Sequence, residues 1–177
     1  MLYIVKQIID YYYYENLNKP KIEDLKIKNS DLLNKSGSVF VTLYLDWIIK
    51  WSSWNIKEIE ENIVLELIEN TISALEDSRF TKPTLSEKDN LKIRIDEITN
   101  RWKPLSDWEI NKIDPTKSWV LVIKSDYEKS AVILPNISWS LITWEDFIWV
   151  LSKKLWEDFD DKNYLVYKIE TKVENNL

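Results

Sequence analysis

The sequence has 177 residues, with one Gly against ten Trp, 45% hydrophobic and 31% charged residues, and a net charge of −6. That apolar fraction supports a buried core, and the length suits one domain of about 150 residues or two subdomains. The absence of Cys and His excludes disulfides, thiolate catalysis, Cys-based zinc sites and Ser-His-Asp catalysis, and leaves Asp, Glu, Lys or Tyr for any acid–base step.

In chain order, residues 2–17 place Leu2, Val5, Ile8, Ile9, Tyr12 and Tyr13 at helical spacing, with a loop expected at 16–20. The four-tyrosine run 11–14 reads as helix packing. Residues 38–45 are β-branched and aromatic and predict a strand, and Ile48-Ile49 opens a second, short one. The segment Trp51-Ser52-Ser53-Trp54 reads as a polar loop. A long amphipathic helix is expected over 57–76, with Ile59, Ile63, Leu67, Ile68 and Ile72 inward and Glu58, Glu60, Glu61 and Glu66 on a solvated face rather than around a metal. Leu91, Ile93 and Ile95 alternate as a half-buried strand. Residues 120–123 and 131–134 form a hairpin around a polar turn at 124–129. A helix over 144–155 turns Phe147, Ile148, Val150 and Leu151 inward, and 164–173 closes the chain as one strand. This mixed order predicts an α+β fold, mainly antiparallel sheet with packed helices. No 18-residue apolar run exists, and Met1-Leu2-Tyr3-Ile4-Val5-Lys6 does not begin a signal peptide. The acidic balance disfavours nucleic-acid binding. A cytoplasmic protein is expected, with no membrane or nucleic-acid partner, no metal and no cofactor.

The tryptophans sit where glycines belong. Asp46-Trp47 joins two strands, where Asp-Gly is the strong turn dipeptide. Asp107-Trp108 is similar, and Trp156 follows a helix at the position that favours a left-handed glycine. With 23 Ile, 21 Lys and 14 Asn against 2 Ala and 3 Arg, the gene is AT-rich, which should deplete TGG-encoded Trp. Some uncultured small-genome bacteria read UGA as glycine, whereas a common alternative code translates it as Trp. Exchanging all ten residues gives 11 Gly in 177, an ordinary share of about 6%. The expectation is that several Trp are exposed and some lie at positive φ. The alternative is a Trp-rich binder with three or more coplanar indoles as a carbohydrate platform.

Several segments together carry a family resemblance. Gly37-Ser38-Val39-Phe40-Val41-Thr42-Leu43 resembles a G-V-F-V-T-L strand with one insertion. Ile49 to Trp54 falls on an L-R-G-C-I-G signature. Glu61, Ile68, Glu69-Asn70 and Ile72-Ser73-Ala74 resemble a helix reading E-E-I-I-E-N-A-I-S-A. Asp77-Ser78-Arg79-Phe80 resembles D-P-R-F, Ser118-Trp119-Val120 resembles Y-G-V, Leu134-Pro135-Asn136 with Trp139 resembles L-P-D-L-E-G, and Lys154-Leu155-Trp156 resembles K-A-G. The chain is thereby similar to the AMMECR family, whose bacterial and archaeal members are known as protein A of the AmmeMemoRadiSam system. At positions 47, 51, 54, 119, 139 and 156 that family has Gly. The resemblance implies a single AMMECR-type domain over 1–177 with two unequal subdomains, the smaller around 46–85.

It also implies an accessory or binding component working with Memo-type and radical-SAM proteins. The family signature carries a Cys suspected of reactivity, and here that position is Ser52, with Lys50 replacing the Arg. Lys50 and Ser52 are candidate catalytic residues, since a lysine can activate a serine, and they share a face only in an extended segment. The bland reading is that Ser52 fills a tight turn. Trp51, Ser53, Trp54, Asp77, Arg79 and Pro135 are candidate binding residues. For Asp77 and Arg79 the plain reading is a helix-end ion pair with Phe80 as a core anchor. An enzyme acting on a peptide or small anionic metabolite through a Lys50/Ser52/Asp77/Arg79 cleft is the alternative function.

Overall fold

The computed structural model describes residues 1–15, 17–55, 57–100, 104–114, 117–126, 128–135 and 141–177. Asn136 and Trp139, named above, lie outside the described residues. The chain forms two units, Met1–Ile98 with Lys172–Leu177, and Thr99–Thr171. The segment 46–85 lies within the first.

The first unit holds a four-stranded sheet in the order β2 (Ile48–Trp54), β1 (Val39–Leu45), β3 (Lys92–Ile98), β7 (Thr171–Asn175), with β1 antiparallel to both β2 and β3. Helices α1 (Leu2–Tyr14) and α2 (Ile63–Leu75) pack on it. Ile4, Ile8, Leu67 and Ile68 bury against Val41, Leu43, Ile93 and Ile95. Each such side chain contributes about 1.5–3 kcal/mol of transfer free energy. Tyr12 of the tyrosine run is buried in this core, while Tyr14 is exposed.

Helix α2 begins six residues later than its apolar periodicity suggests. Asn62 adopts extended backbone and its side chain caps Val64 N–H and Leu65 N–H, an ordinary N-cap. Residues 57–61 are therefore loop, and Ile59 is exposed. Glu66 is fully buried rather than solvated. Its oxygens accept from Ile59 N–H and Glu60 N–H and from the amides of Asn55 and Asn70, so a carboxylate holds the loop that periodicity read as helix.

The second unit has a three-stranded antiparallel sheet, β5 (Ser130–Ile133), β4 (Trp119–Lys124), β6 (Tyr164–Ile169). Helix α4 (Trp144–Leu155) covers it with Phe147, Leu151 and Leu155 buried and Ile148 and Val150 half-buried. A Thr143/Asp146 capping box starts α4. A single turn, α3 (Asp107–Ile110), has its own Ser106/Glu109 box, so Asp107-Trp108 is the start of a helix and not a glycine-type turn. The last expected strand is two strands: β6 belongs to the second sheet and β7 to the first, with the change at Glu170.

Among the described residues, two tryptophans occupy left-handed backbone. Asp46 (φ 52) and Trp47 (φ 64) form the two-residue connection between β1 and β2, which is the geometry of a type I′ hairpin turn. Trp156 (φ 57, ψ 32) follows α4, its N–H donating to Ser152 O, and is 91% exposed. Trp47 is 71% exposed, and Trp108 and Trp149 are exposed as well. Trp51, Trp119 and Trp144 are buried with ordinary φ. Leu17 also lies at positive φ, closing α1 through its N–H to Tyr12 O. The single glycine, Gly37, does not lie at positive φ.

Candidate functional site

The segment expected as a Trp-Ser-Ser-Trp loop is strand β2. Trp51 pairs with Leu43, Ser52 with Thr42, Ser53 with Val41 and Trp54 with Phe40. Side chains alternate across a strand, so Trp51 and Ser53 share the face of β1 that carries Val41 and Leu43, towards α2. The Trp51 indole enters that core and donates from Nε1 to Thr81 O at 3.0 Å. Ser53 Oγ donates to Asn70 Oδ1 at 3.1 Å. On the opposite face Trp54 stacks on Phe40 at 4.8 Å.

A bulge opposite Leu43/Tyr44 leaves Lys50 out of the regular pairing and interrupts the strict i, i+2 relation between Lys50 and Ser52. Lys50 instead lines a cleft of about 340 Å³ with Trp51, Phe80, Thr81, Lys82 and Glu87. Lys82 is engaged by Glu76 at 3.2 Å and by the Tyr12 hydroxyl at 3.3 Å. Lys50 makes no ion pair with a described residue. Ser52 does not line this cleft, and its Oγ accepts from Arg79 Nη2 at 3.4 Å.

Asp77 and Arg79 clasp the edge of β2. Asp77 accepts from Arg79 N–H at 3.1 Å, Nε at 2.9 Å and Nη2 at 2.6 Å, and also from the Ser52 backbone N–H. The Arg79 guanidinium beside Asp77 holds its carboxyl below the usual carboxylate range. Phe80 is not a core anchor: it is exposed, with the guanidinium over its ring at 5.8 Å. A depressed carboxylate contributes stability above its unfolded pKa and loses it as pH falls through the folded value. Asp77→Asn is therefore expected to lower stability by about 1–2 kcal/mol at pH 7, with the gap to the parent narrowing as acidification carries the pH below the ordinary Asp value of about 3.9. Urea midpoints at the two pH values measure this.

The contacts of three residues, Asn70, Arg94 and Asp96, are not legible in the sequence. Asn70 bridges Ser53 to Glu66, its Nδ2 donating to Glu66 Oε2 at 3.1 Å and to Glu66 O at 3.0 Å. Arg94 and Asp96, on β3, form a bidentate pair at 2.7 and 2.9 Å, with Asp96 fully buried. The i, i+2 spacing of opposite charges in a strand was the available signal for that pair. Pro135 is placed in the turn after β5, in the second unit. Among the described residues, no group of three or more acidic residues is arranged to hold a metal ion.

The sequence pattern described as AMMECR1 matches residues 2–172. The chain belongs to the AMMECR1 family. No curated protein matches it. Among solved structures it is similar to the crystal structure of an uncharacterised protein from Pyrococcus horikoshii, at 19% identity and a TM-score of 0.77, covering 99% of this chain and 88% of that one. At that identity the similarity shows a shared fold. Ile49 to Trp54, the segment that resembles the L-R-G-C-I-G signature, falls within β2.

Proposed function

We propose that this AMMECR1 protein is a non-catalytic binding component of the cytoplasm, working beside a Memo-type protein and a radical-SAM enzyme, with the β2 edge and the Lys50 cleft as its contact surface. The Ser52–Arg79 contact carries this reading. A guanidinium stays protonated and cannot accept the hydroxyl proton, and no described base bonds to Ser52 Oγ, so the serine is not activated as a nucleophile. Asp77 is occupied by Arg79 and by the Ser52 N–H. The acidic net charge disfavours a nucleic-acid partner, and no described helix is long and apolar enough to cross a membrane. A second reading, an enzyme acting on a peptide or small anionic metabolite, draws on Lys50, a cation that opens onto the cleft without an ion-pair partner among the described residues. Affinity purification of the tagged chain from its source organism is expected to recover the Memo-type and radical-SAM proteins. Recovery of neither, together with a turnover abolished by Lys50→Ala, would establish the enzyme instead.

A carbohydrate platform is not supported by the exposed indoles. Trp47, Trp108, Trp149 and Trp156 make no ring contact with a described aromatic residue. Lys112 and Lys153 cover the faces of Trp108 and Trp149 at 3.3 and 3.6 Å.

We also infer that the gene is bacterial and that its tryptophan codons are UGA read as glycine in the source organism. Positive φ at Trp47 and Trp156 supports this, because a bulky side chain in left-handed backbone costs roughly 1–2 kcal/mol. At the buried positions 51, 119 and 144 the backbone makes no such demand. TGG codons at positions 47 and 156 would refute the inference.

A further inference from the structure

A second cleft, of about 240 Å³, lies in the first unit and shares no lining residue with the Lys50 cleft. Its wall is built around Lys88, whose side chain is only 7% exposed. The Lys88 ammonium is held by Asp10 of α1 and by Asp89 at 2.8 Å, and those carboxylates keep it protonated well above its usual range. Two further lysines line the same cleft, Lys6 from α1 and Lys92 at the start of β3, and neither forms an ion pair with a described residue. Three lysines against two carboxylates leave a local charge of +1 in a chain whose net charge is −6.

Asn176 completes the polar rim. Its Oδ1 accepts from Ile93 N–H at 2.6 Å and its own N–H donates to Ile93 O at 3.1 Å. This fixes the amide, and its NH₂ group bonds to no described residue. The apolar lining comes from Ile9, Leu91 and Ile93, all buried. The volume falls below the ~300–1,000 Å³ of pockets for drug-sized ligands.

We propose that this cleft binds a small aliphatic monocarboxylate of amino-acid size, its carboxylate held by Lys6, Lys92 and the Asn176 amide and its hydrocarbon part lying on Ile9, Leu91 and Ile93. A singly charged anion matches the surplus of one positive charge. A phosphate carries about −1.5 to −2 at neutral pH and would meet the Asp10 and Asp89 carboxylates without enough compensating charge. The buried Lys88 pair holds the wall in place before any ligand arrives, so the ordering that opposes binding is confined to the Lys6 and Lys92 side chains.

Calorimetric titration of the full chain with isovalerate, its neutral analogue isovaleramide, and inorganic phosphate tests this. Isovalerate is expected to saturate with a Kd on the order of millimolar, the range for so few atoms. Isovaleramide and phosphate are expected to bind at least about tenfold more weakly, and Lys6→Gln combined with Lys92→Gln to weaken isovalerate by about tenfold. The double variant removes half-exposed or exposed side chains and should keep the parental unfolding midpoint. Absence of saturation at tens of millimolar isovalerate, phosphate binding as tight as isovalerate, or unchanged affinity in the folded double variant would each overturn the proposal.

Discussion

Trp156→Gly is expected to stabilise the second unit by about 1–2 kcal/mol, and Trp47→Gly to do the same for the first. Trp156 occupies the position after α4 at φ 57, where its N–H bonds to Ser152 O. A glycine makes that bond without the clash of Cβ against the carbonyl that left-handed backbone imposes. Trp47 is the second central residue of the β1–β2 turn, and Asp46 before it also has positive φ. Asp tolerates that conformation and a bulky aromatic does not, which is why Asp-Gly is the favoured pair in such turns. Both indoles are mostly exposed, so little buried apolar area is lost on their removal. For units of this size each kcal/mol corresponds to a shift of about 4–8 °C in unfolding midpoint. Thermal unfolding of the single and double variants, followed by circular dichroism, measures it. A lowered midpoint in either single variant would contradict the assignment of strain to φ.

Glu66→Ala is expected to cost the first unit about 3–5 kcal/mol, because it removes the shared acceptor of four donors at once. The backbone N–H groups of Ile59 and Glu60 and the amides of Asn55 and Asn70 all converge on this carboxylate. Glu66→Gln should cost less, since its oxygen still accepts from one pair of donors while its NH₂ opposes the other. The urea midpoint gives the stability loss. Amide exchange at Ile59 and Glu60 should accelerate in both variants, and unchanged exchange there would mean that the loop is held by something else. Because Asn70 also receives the Ser53 hydroxyl, loss of Glu66 loosens one side of the signature strand.

Trp47, Trp156 and Glu66 mark the limit of what is legible in the sequence. The family pattern and the hydrophobic periodicity located β1, β3, β4, β5 and α4 closely, since each is a local run whose period matches its element. Glu66 looked like one of four solvated glutamates because a helical wheel records spacing and not what the neighbouring loop folds over. The start of α2 was missed for the same reason: Ile59 falls in register with the helix, but the Asn62 cap and the Glu66 carboxylate draw residues 57–61 into another path. Trp51-Ser52-Ser53-Trp54 looked like a loop because it is polar and short, whereas pairing with β1 makes it a strand. An extended segment predicts Lys50 and Ser52 on one face, but the bulge and the Arg79 contact set their neighbourhoods apart.

The sequence by itself determined the family, the α+β class, the turn at Asp46-Trp47 and the helix stop at Trp156. All four depend on local chemistry: periodicity, short motifs, and the φ that a residue can adopt. Only the tertiary structure decided that residues 164–175 divide between two sheets, that Glu66 is interior, and that Lys6, Lys88, Lys92 and Asn176 line one cleft. Those facts depend on which distant segments share a surface, and the energy of a buried charge or a strand pairing belongs to both partners and is written in neither one alone.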